Sequence, residues 1–327
     1  MTAATVNVKP TIALLGQPNS GKSTLFNGLT GARQRVGNWP GKTVEKKEGY
    51  YDRSKIRYHV TDLPGTYSLS ANSEEEIITR DYITSGKADV VCILADSSQL
   101  SRSLFMLADY AGINCPVVLL LNLMDVAETQ GKKVDAKKLE QKLGIPVVPF
   151  VAADRKKYDG FFEAVDQALK ENKLLNADSL FEKYRTVENG IFEKILALMP
   201  PDGIDNYSAP WLAAKIIEND TAVLGKIESI LSPDIYKKIQ SLVSTIKNGA
   251  LHTSGCKFQW IDELLRDTLV HKQEKPLISK FDRLATHRTW GKPFAVLIIL
   301  LGLVASFIPA APIMMIGGMI PALGGPI

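Results

Sequence analysis

The chain has 327 residues, 45% of them apolar and 23% charged, with a formal net charge of +4. That length exceeds one small domain and suits two or three compact units, and the composition is that of a globular protein. The small charge, spread without a long Lys/Arg block, gives no footprint for a nucleic-acid partner. Three cysteines, Cys92, Cys115 and Cys256, lack CxxC spacing, and the odd count argues against a closed disulfide framework. A reducing compartment follows as the simple reading. The opening "MTAATVNVKP" has no basic patch followed by a long apolar region, so it does not read as a secretory signal.

Up to about residue 172, apolar runs alternate with amphipathic stretches. The expected strands are "TIALL", "TVEKKEGYY", "IRYHVTD", "ADVVCILA", "CPVVLLLN" and "IPVVPF". Expected helices lie near 22–30, 74–86, 100–112, 135–143 and 158–172. Short, nearly continuous Val/Ile/Leu runs indicate strands buried on both faces. The alternation predicts an α/β domain, a mostly parallel sheet with helices on both sides.

Residues 173–276 change character and predict a small all-α domain, with helices at 179–199, 209–218, 234–248 and 257–272. His252 and His271 have no partners at metal-ligand spacing. Residues 277–292, "LISKFDRLATHRTWGK", are amphipathic and suit either a helix at a membrane surface or a plain packing helix. No charge follows Lys292, and Phe294 to Ile320 is uncharged throughout. About 20 apolar helical residues cross a bilayer, so 293–327 predicts a transmembrane segment, the start of a membrane domain. Pro309 and Pro312 are tolerable there. Lys280, Arg283, Arg288 and Lys292 on its N-terminal side place residues 1–292 in the cytoplasm, with the chain at the inner membrane.

"GQPNSGKST" follows the first strand and opens a helix, the context that gives a Gly-x-x-x-x-Gly-Lys-Ser pattern its mechanism. Gly16 and Gly21 let the loop curl. The backbone N–H groups of Asn19, Ser20, Gly21, Lys22, Ser23 and Thr24 can then face phosphate oxygens at a helix N-terminus. Lys22 suits the β- and γ-phosphates, and the Ser23 hydroxyl suits Mg²⁺. "DLPG" supplies Asp62, a carboxylate able to hold Mg²⁺ through water, and Gly65, whose N–H can meet a γ-phosphate. "NLMD" supplies Asn122, expected to brace the loop, and Asp125, able to accept from guanine N1–H and N2–H₂. Adenine lacks those donors. Val151, Ala152 and Ala153 stand where a base-supporting loop belongs. The order predicts GTP and GDP as ligands with Mg²⁺.

"GNWPGKTVEKKEGYY" and "DLPGTYSLSANSEEEIITRDYI" resemble the two switch regions of FeoB, the bacterial ferrous iron transport protein B. The resemblance covers nearly the whole chain. It implies a slow cytoplasmic GTPase coupled to a membrane domain that moves Fe²⁺, with the membrane bilayer as a partner and self-association or a small accessory protein as further ones. It implies that Thr43 joins Mg²⁺ and senses the γ-phosphate. It further implies that Asn19, with the carbonyls of Gly37 and Trp39, holds K⁺ beside the phosphates. Thr66 occupies the place where Ras-like proteins carry a water-positioning glutamine, which leaves Tyr67 and Ser68 nearby. Gln17, Lys42 and Ala152 depart from residues common in that family. Residues 293–327 contain no Asp, Glu, His or Cys, so no metal path is assigned to them. The alternative is a membrane-tethered, GTP-regulated binding switch that controls a partner without powering transport.

Overall fold

Each expected apolar run becomes a strand in the computed structural model. The structure describes residues 10–54, 56–70, 73–187, 190–271 and 284–319, the side chains of 271 and 306–319 excepted. The elements of the first half are β1 (Thr11–Gly16), α1 (Lys22–Thr30), β2 (Gln34–Asn38), β3 (Glu45–Arg53), β4 (Ile56–Asp62), α2 (Glu74–Thr84), β5 (Val90–Asp96), α3 (Leu100–Tyr110), β6 (Val117–Asn122), α4 (Met124–Thr129), β7 (Lys132–Val134), α5 (Ala136–Leu143), β8 (Val147–Pro149) and α6 (Tyr158–Glu171). Among the described residues seven strands form one sheet in the order β2-β3-β4-β1-β5-β6-β8. The pairings among β4, β1, β5, β6 and β8 are parallel, and β2 and β3 add an antiparallel edge.

The period of two along each strand sorts side chains to opposite faces. Ile12, Leu14, Val90, Cys92, Val118 and Leu120 pack with Phe26 of α1 and Phe161 and Val165 of α6. Ala13, Leu15, Val91, Ile93, Leu119 and Leu121 face the other way, in a cluster with Leu104 of α3 and Leu139 of α5. Cys92 is thus an inert core residue whose thiol burial pushes well above its usual range. Strand β2 differs, being exposed along its whole length.

The later helices are α7 (Asp178–Arg185), α8 (Ile191–Leu196), α9 (Ala209–Ile217), α10 (Thr221–Ile230), α11 (Pro233–Val243) and α12 (Gly249–Leu265), followed by β9 (Leu269–His271). The single helix expected over 179–199 is two, because Gly190 at φ 71° opens the second. Helix α10 was not expected from the apolar pattern. It is set by Asp220, whose carboxylate accepts from the N–H groups of Ala222 and Val223. Leu180, Phe192, Trp211, Leu212 and Trp260 join the same core cluster as the second face of the sheet. Strand β9 returns to pair antiparallel with β7. Residues 1–272 accordingly form one compact unit.

Arg80 of α2 donates to Asp220 at 2.6 Å, with both side chains no more than 3% exposed. Breaking such a pair leaves an uncompensated buried charge. Arg80→Met should therefore lower the unfolding free energy by about 3–5 kcal/mol in a urea titration. A loss below about 1 kcal/mol would mean that water reaches Asp220.

The second unit, 273–327, contains the helix Gly291–Met319. Among the described residues no helix is long and apolar enough to cross a membrane. This corrects the expectation of a C-terminal transmembrane segment, which rested on the uncharged run beyond residue 293. Much of the amphipathic stretch expected at 277–292 lies outside the described residues.

Candidate functional site

The C-terminal ends of β1, β4 and β6 and the loop after β8 meet at one edge of the sheet. In open parallel sheets this is where ligands bind. The loop from Gly16 to Gly21 turns through Asn19 at φ 66° and Gly21 at φ 90°. Gly21 is required there, since a Cβ would lie 2.1 Å from Asn122 Nδ2 in a left-handed conformation. Gln17, Pro18, Asn19, Gly21, Lys22, Ser23, Thr24 and Gly65 line a polar cavity of about 400 Å³.

Two buried polar ties join the segments around this cavity. Lys22 Nζ donates to the Asp62 carboxylate and to the Leu63 carbonyl, joining the loop to the end of β4. Burial pushes the Asp62 carboxyl above its ordinary range, against the pull of Lys22. Asn122 Nδ2 donates to the Ser20 carbonyl at 2.7 Å, and Asn122 Oδ1 accepts from Ala152 N–H at 2.9 Å. Tyr158 OH then donates to the Ala152 carbonyl at 3.0 Å. The backbone amide and carbonyl of Ala152 make these bonds, so the small side chain costs none of them. Leu123 at φ 57° turns the chain into α4, where Asp125 stands exposed in the first turn. A branched apolar residue in that conformation is uncommon. Val151 is half-buried and Ala153 exposed beside it.

The structure thus gathers Gly16, Asn19, Ser20, Gly21, Lys22, Ser23, Thr24, Asp62, Gly65, Asn122 and Ala152. It does not bring Thr43, Gly37 or Trp39 to the cavity lining. Gly37 lies in β2, paired with Lys46. Trp39 packs edge-on against Tyr82 at 5.3 Å, and its carbonyl accepts from Lys42 N–H. Thr43 is exposed in the loop between β2 and β3. Thr66 is buried 3% exposed, and its hydroxyl has no partner among the described residues. Tyr67 is exposed, with the Arg102 guanidinium over its ring. Glu74, Glu75 and Glu76 form the first turn of α2, capped by Ser73, as suits the helix dipole. Among the described residues no group of three or more His, Cys, Asp or Glu could hold a metal ion.

A family model for ferrous iron transport protein B matches residues 10–165. The Fe(2+) transporter FeoB of Escherichia coli strain K12 is 32% identical over 303 residues, covering 90% of this chain. The chain spans 38% of that relative's length. A mutant of S. thermophilus NFeoB bound to GDP superposes with a TM-score of 0.69 at 31% identity, over 80% of this chain and all of that one. The chain belongs to the FeoB family. The cytosolic domain of T. maritima FeoB in its GMPPNP form gives a TM-score of 0.65 at 30% identity, over 80% of this chain and 99% of that one. The sheet with its phosphate-type loop falls within the residues that the family model matches, and mainly helical structure follows it.

Sequence reasoning missed one group of residues. Asp109, Lys215, Glu218 and Lys257 form a buried ionic cluster behind the loop that follows Gly65. Their charges sit within otherwise apolar helical stripes, and only the absence of a polar face around them could have signalled it.

Proposed function

We propose that the chain is the GTP-binding and GTP-hydrolysing module of a bacterial ferrous iron transporter, facing the cytosol, with residues 1–172 as the GTPase domain and 173–276 as a helical domain. The observation that carries this reading is the pair of buried ties, Lys22 to Asp62 and Asn122 to Ser20 and Ala152. In this reading they join the segments that hold phosphate, magnesium and base to one another. The relatives' names, Fe(2+) transporter and ferrous iron transport protein B, support the transported ion. The GDP-bound and GMPPNP structures support the nucleotide.

In this reading the N–H groups of the loop and Lys22 hold the β- and γ-phosphates, and Asp125 accepts from guanine. The oxygen donors Ser23 and Asp62, at the cavity edge, fit a hard divalent cation, so Mg²⁺ would add positive charge to the leaving phosphate there. Thr43 joins them only after its exposed loop closes over the cavity. Lys22 must then exchange part of its bond to Asp62 for phosphate. With Thr66 turned inward, the loop amides near Gly65 are left to orient water, which makes hydrolysis slow.

Asn19 lines the cavity with its side chain exposed. Its amide oxygen fits a monovalent cation beside the phosphates, where Gly37 and Trp39 carbonyls arrive with the same loop closure. GTP hydrolysis by the full chain should be faster in K⁺ than in Na⁺ by roughly tenfold or more, and Asn19→Ala should remove the difference. Equal slow rates in both salts, unchanged by the substitution, would remove K⁺ from the site and favour a GTP-regulated binding switch.

A further inference from the structure

The four charges behind the loop that follows Gly65 are almost fully buried, with side-chain exposures of 0% for Asp109, 2% for Lys215, 4% for Lys257 and 9% for Glu218. Lys257 Nζ donates to Asp109 and to Glu218 at 2.6 Å each. Lys215 Nζ donates to Glu218 at 2.7 Å and to the same Asp109 oxygen at 3.4 Å. Two carboxylates and two ammonium groups sum to zero, the condition under which a buried cluster can stay ionised. Thr253 donates a further bond to Glu218.

The second oxygen of Asp109 is turned the other way. It accepts from the backbone N–H of Leu69 at 3.0 Å. Leu69 is fully buried, and it lies four residues beyond Gly65 of the cavity lining. The neighbouring Ser70 hydroxyl accepts from Lys215 at 3.4 Å. The segment carrying Gly65 and Thr66 is therefore tied to a carboxylate of α3 whose counter-ions come from α9 and α12. Burial alone would push the Asp109 carboxyl up, but Lys215 and Lys257 outweigh it and hold the group well below the ordinary carboxylate range. An anionic acceptor makes the stronger bond to an amide.

We propose that Asp109 is a positioning residue for the GTPase reaction, fixing the loop after Gly65 through the Leu69 amide, with Lys257 and Lys215 of the downstream helices setting its charge. This rests on the GTPase reading of the cavity. Among the described residues the hydrogen bonds and ion pairs of the Asp109 side chain go to Leu69, Lys215 and Lys257 and not to the cavity lining, so it acts through the loop. Loss of Lys257 leaves the cluster with a net negative charge, so Asp109 gives up either its ionisation or its burial. In both cases the grip on Leu69 weakens. The state of the helices thereby reaches the cavity through the Leu69 bond, with the Lys215 contact to Ser70 beside it.

The test uses the full chain with two variants. Lys257→Met removes one charge and unbalances the cluster. Asp109→Leu with Lys257→Met removes one charge of each sign and leaves Lys215 paired with Glu218, so folding is kept by charge balance. Amide hydrogen exchange at Leu69, GDP release followed with a fluorescent GDP analogue, and single-turnover GTP hydrolysis per nucleotide-binding molecule are compared with the unmodified chain. The expected result is a melting temperature close to the unmodified chain's for the double variant, with Leu69 exchange and GDP release each changed by about tenfold and turnover reduced by a similar factor. Unchanged Leu69 protection, or release and turnover within twofold of the unmodified chain, would overturn the proposal. Failure of the unmodified chain to bind GDP would instead count against the GTPase reading, and Leu69 exchange alone would then decide the positioning role.

Discussion

Asp125→Asn should move the nucleotide preference from guanine towards xanthine. On the proposed reading the exposed Asp125 carboxylate, in the first turn of α4, accepts two hydrogen bonds from guanine N1–H and N2–H₂. An asparagine keeps one acceptor and offers a donor where the second acceptor stood, so guanine's amino group meets an N–H. Xanthine carries a carbonyl oxygen at that position and accepts from the new amide. A site built for a hydrogen-bonding group rejects the mismatched ligand by roughly 10⁴-fold. GDP affinity should fall on that scale, while xanthosine diphosphate gains. Competition against a fluorescent GDP analogue reads both. An unchanged preference for GDP over its xanthine counterpart would show that the base lies elsewhere.

The second large effect is expected at Lys22. On the same proposed reading Lys22→Met removes a charge from the phosphates, and the loss of one such contact typically costs about 10²–10³ in kcat. It also strips the buried Asp62 of its cation. Burial already holds that carboxyl above its ordinary range, and the substitution moves it further up. A raised folded-state pKa for an acid means stability that is full below the unfolded value and lost as pH rises through the folded one. The variant should therefore be relatively more stable at mildly acidic pH than at neutral pH, compared with the unmodified chain. Thermal melts across that range check the sign. Parallel pH profiles for the two proteins would mean that Asp62 is wetter than its 7% exposure suggests.

The sheet was legible because β1, β5 and β6 are buried on both faces and so become unbroken apolar runs. The phosphate loop was legible because its glycines answer to backbone geometry, as Gly21 illustrates. Strand β2 was not, since "QRVGN" is exposed throughout and carries no period that burial would impose. Helix α12 was expected to start near 257 but begins at Gly249. Its inward stripe runs Thr253, Cys256, Lys257, Trp260, Ile261 and Leu264, and the buried lysine interrupts the hydrophobic pattern from which a start is judged. The places of Thr43, Gly37 and Trp39 were not legible either, because a chain pattern fixes the order of segments and not how far an exposed loop stands from its target. The C-terminal apolar run misled in the opposite sense, since an uncharged composition is a necessary condition for a membrane span and not a sufficient one.

The buried ionic cluster also bears on how the chain is made. Synthesis proceeds from the N-terminus, and early segments fold while later ones are still on the ribosome. Asp109 belongs to the sheet half of the molecule, yet both of its counter-ions lie more than 100 residues downstream. Until Lys215 and then Lys257 emerge, α3 presents a lone carboxylate to an apolar floor. The nascent sheet should therefore stay loosely closed on that side, and the last helix of the first unit acts as the closing piece of the domain that was begun first.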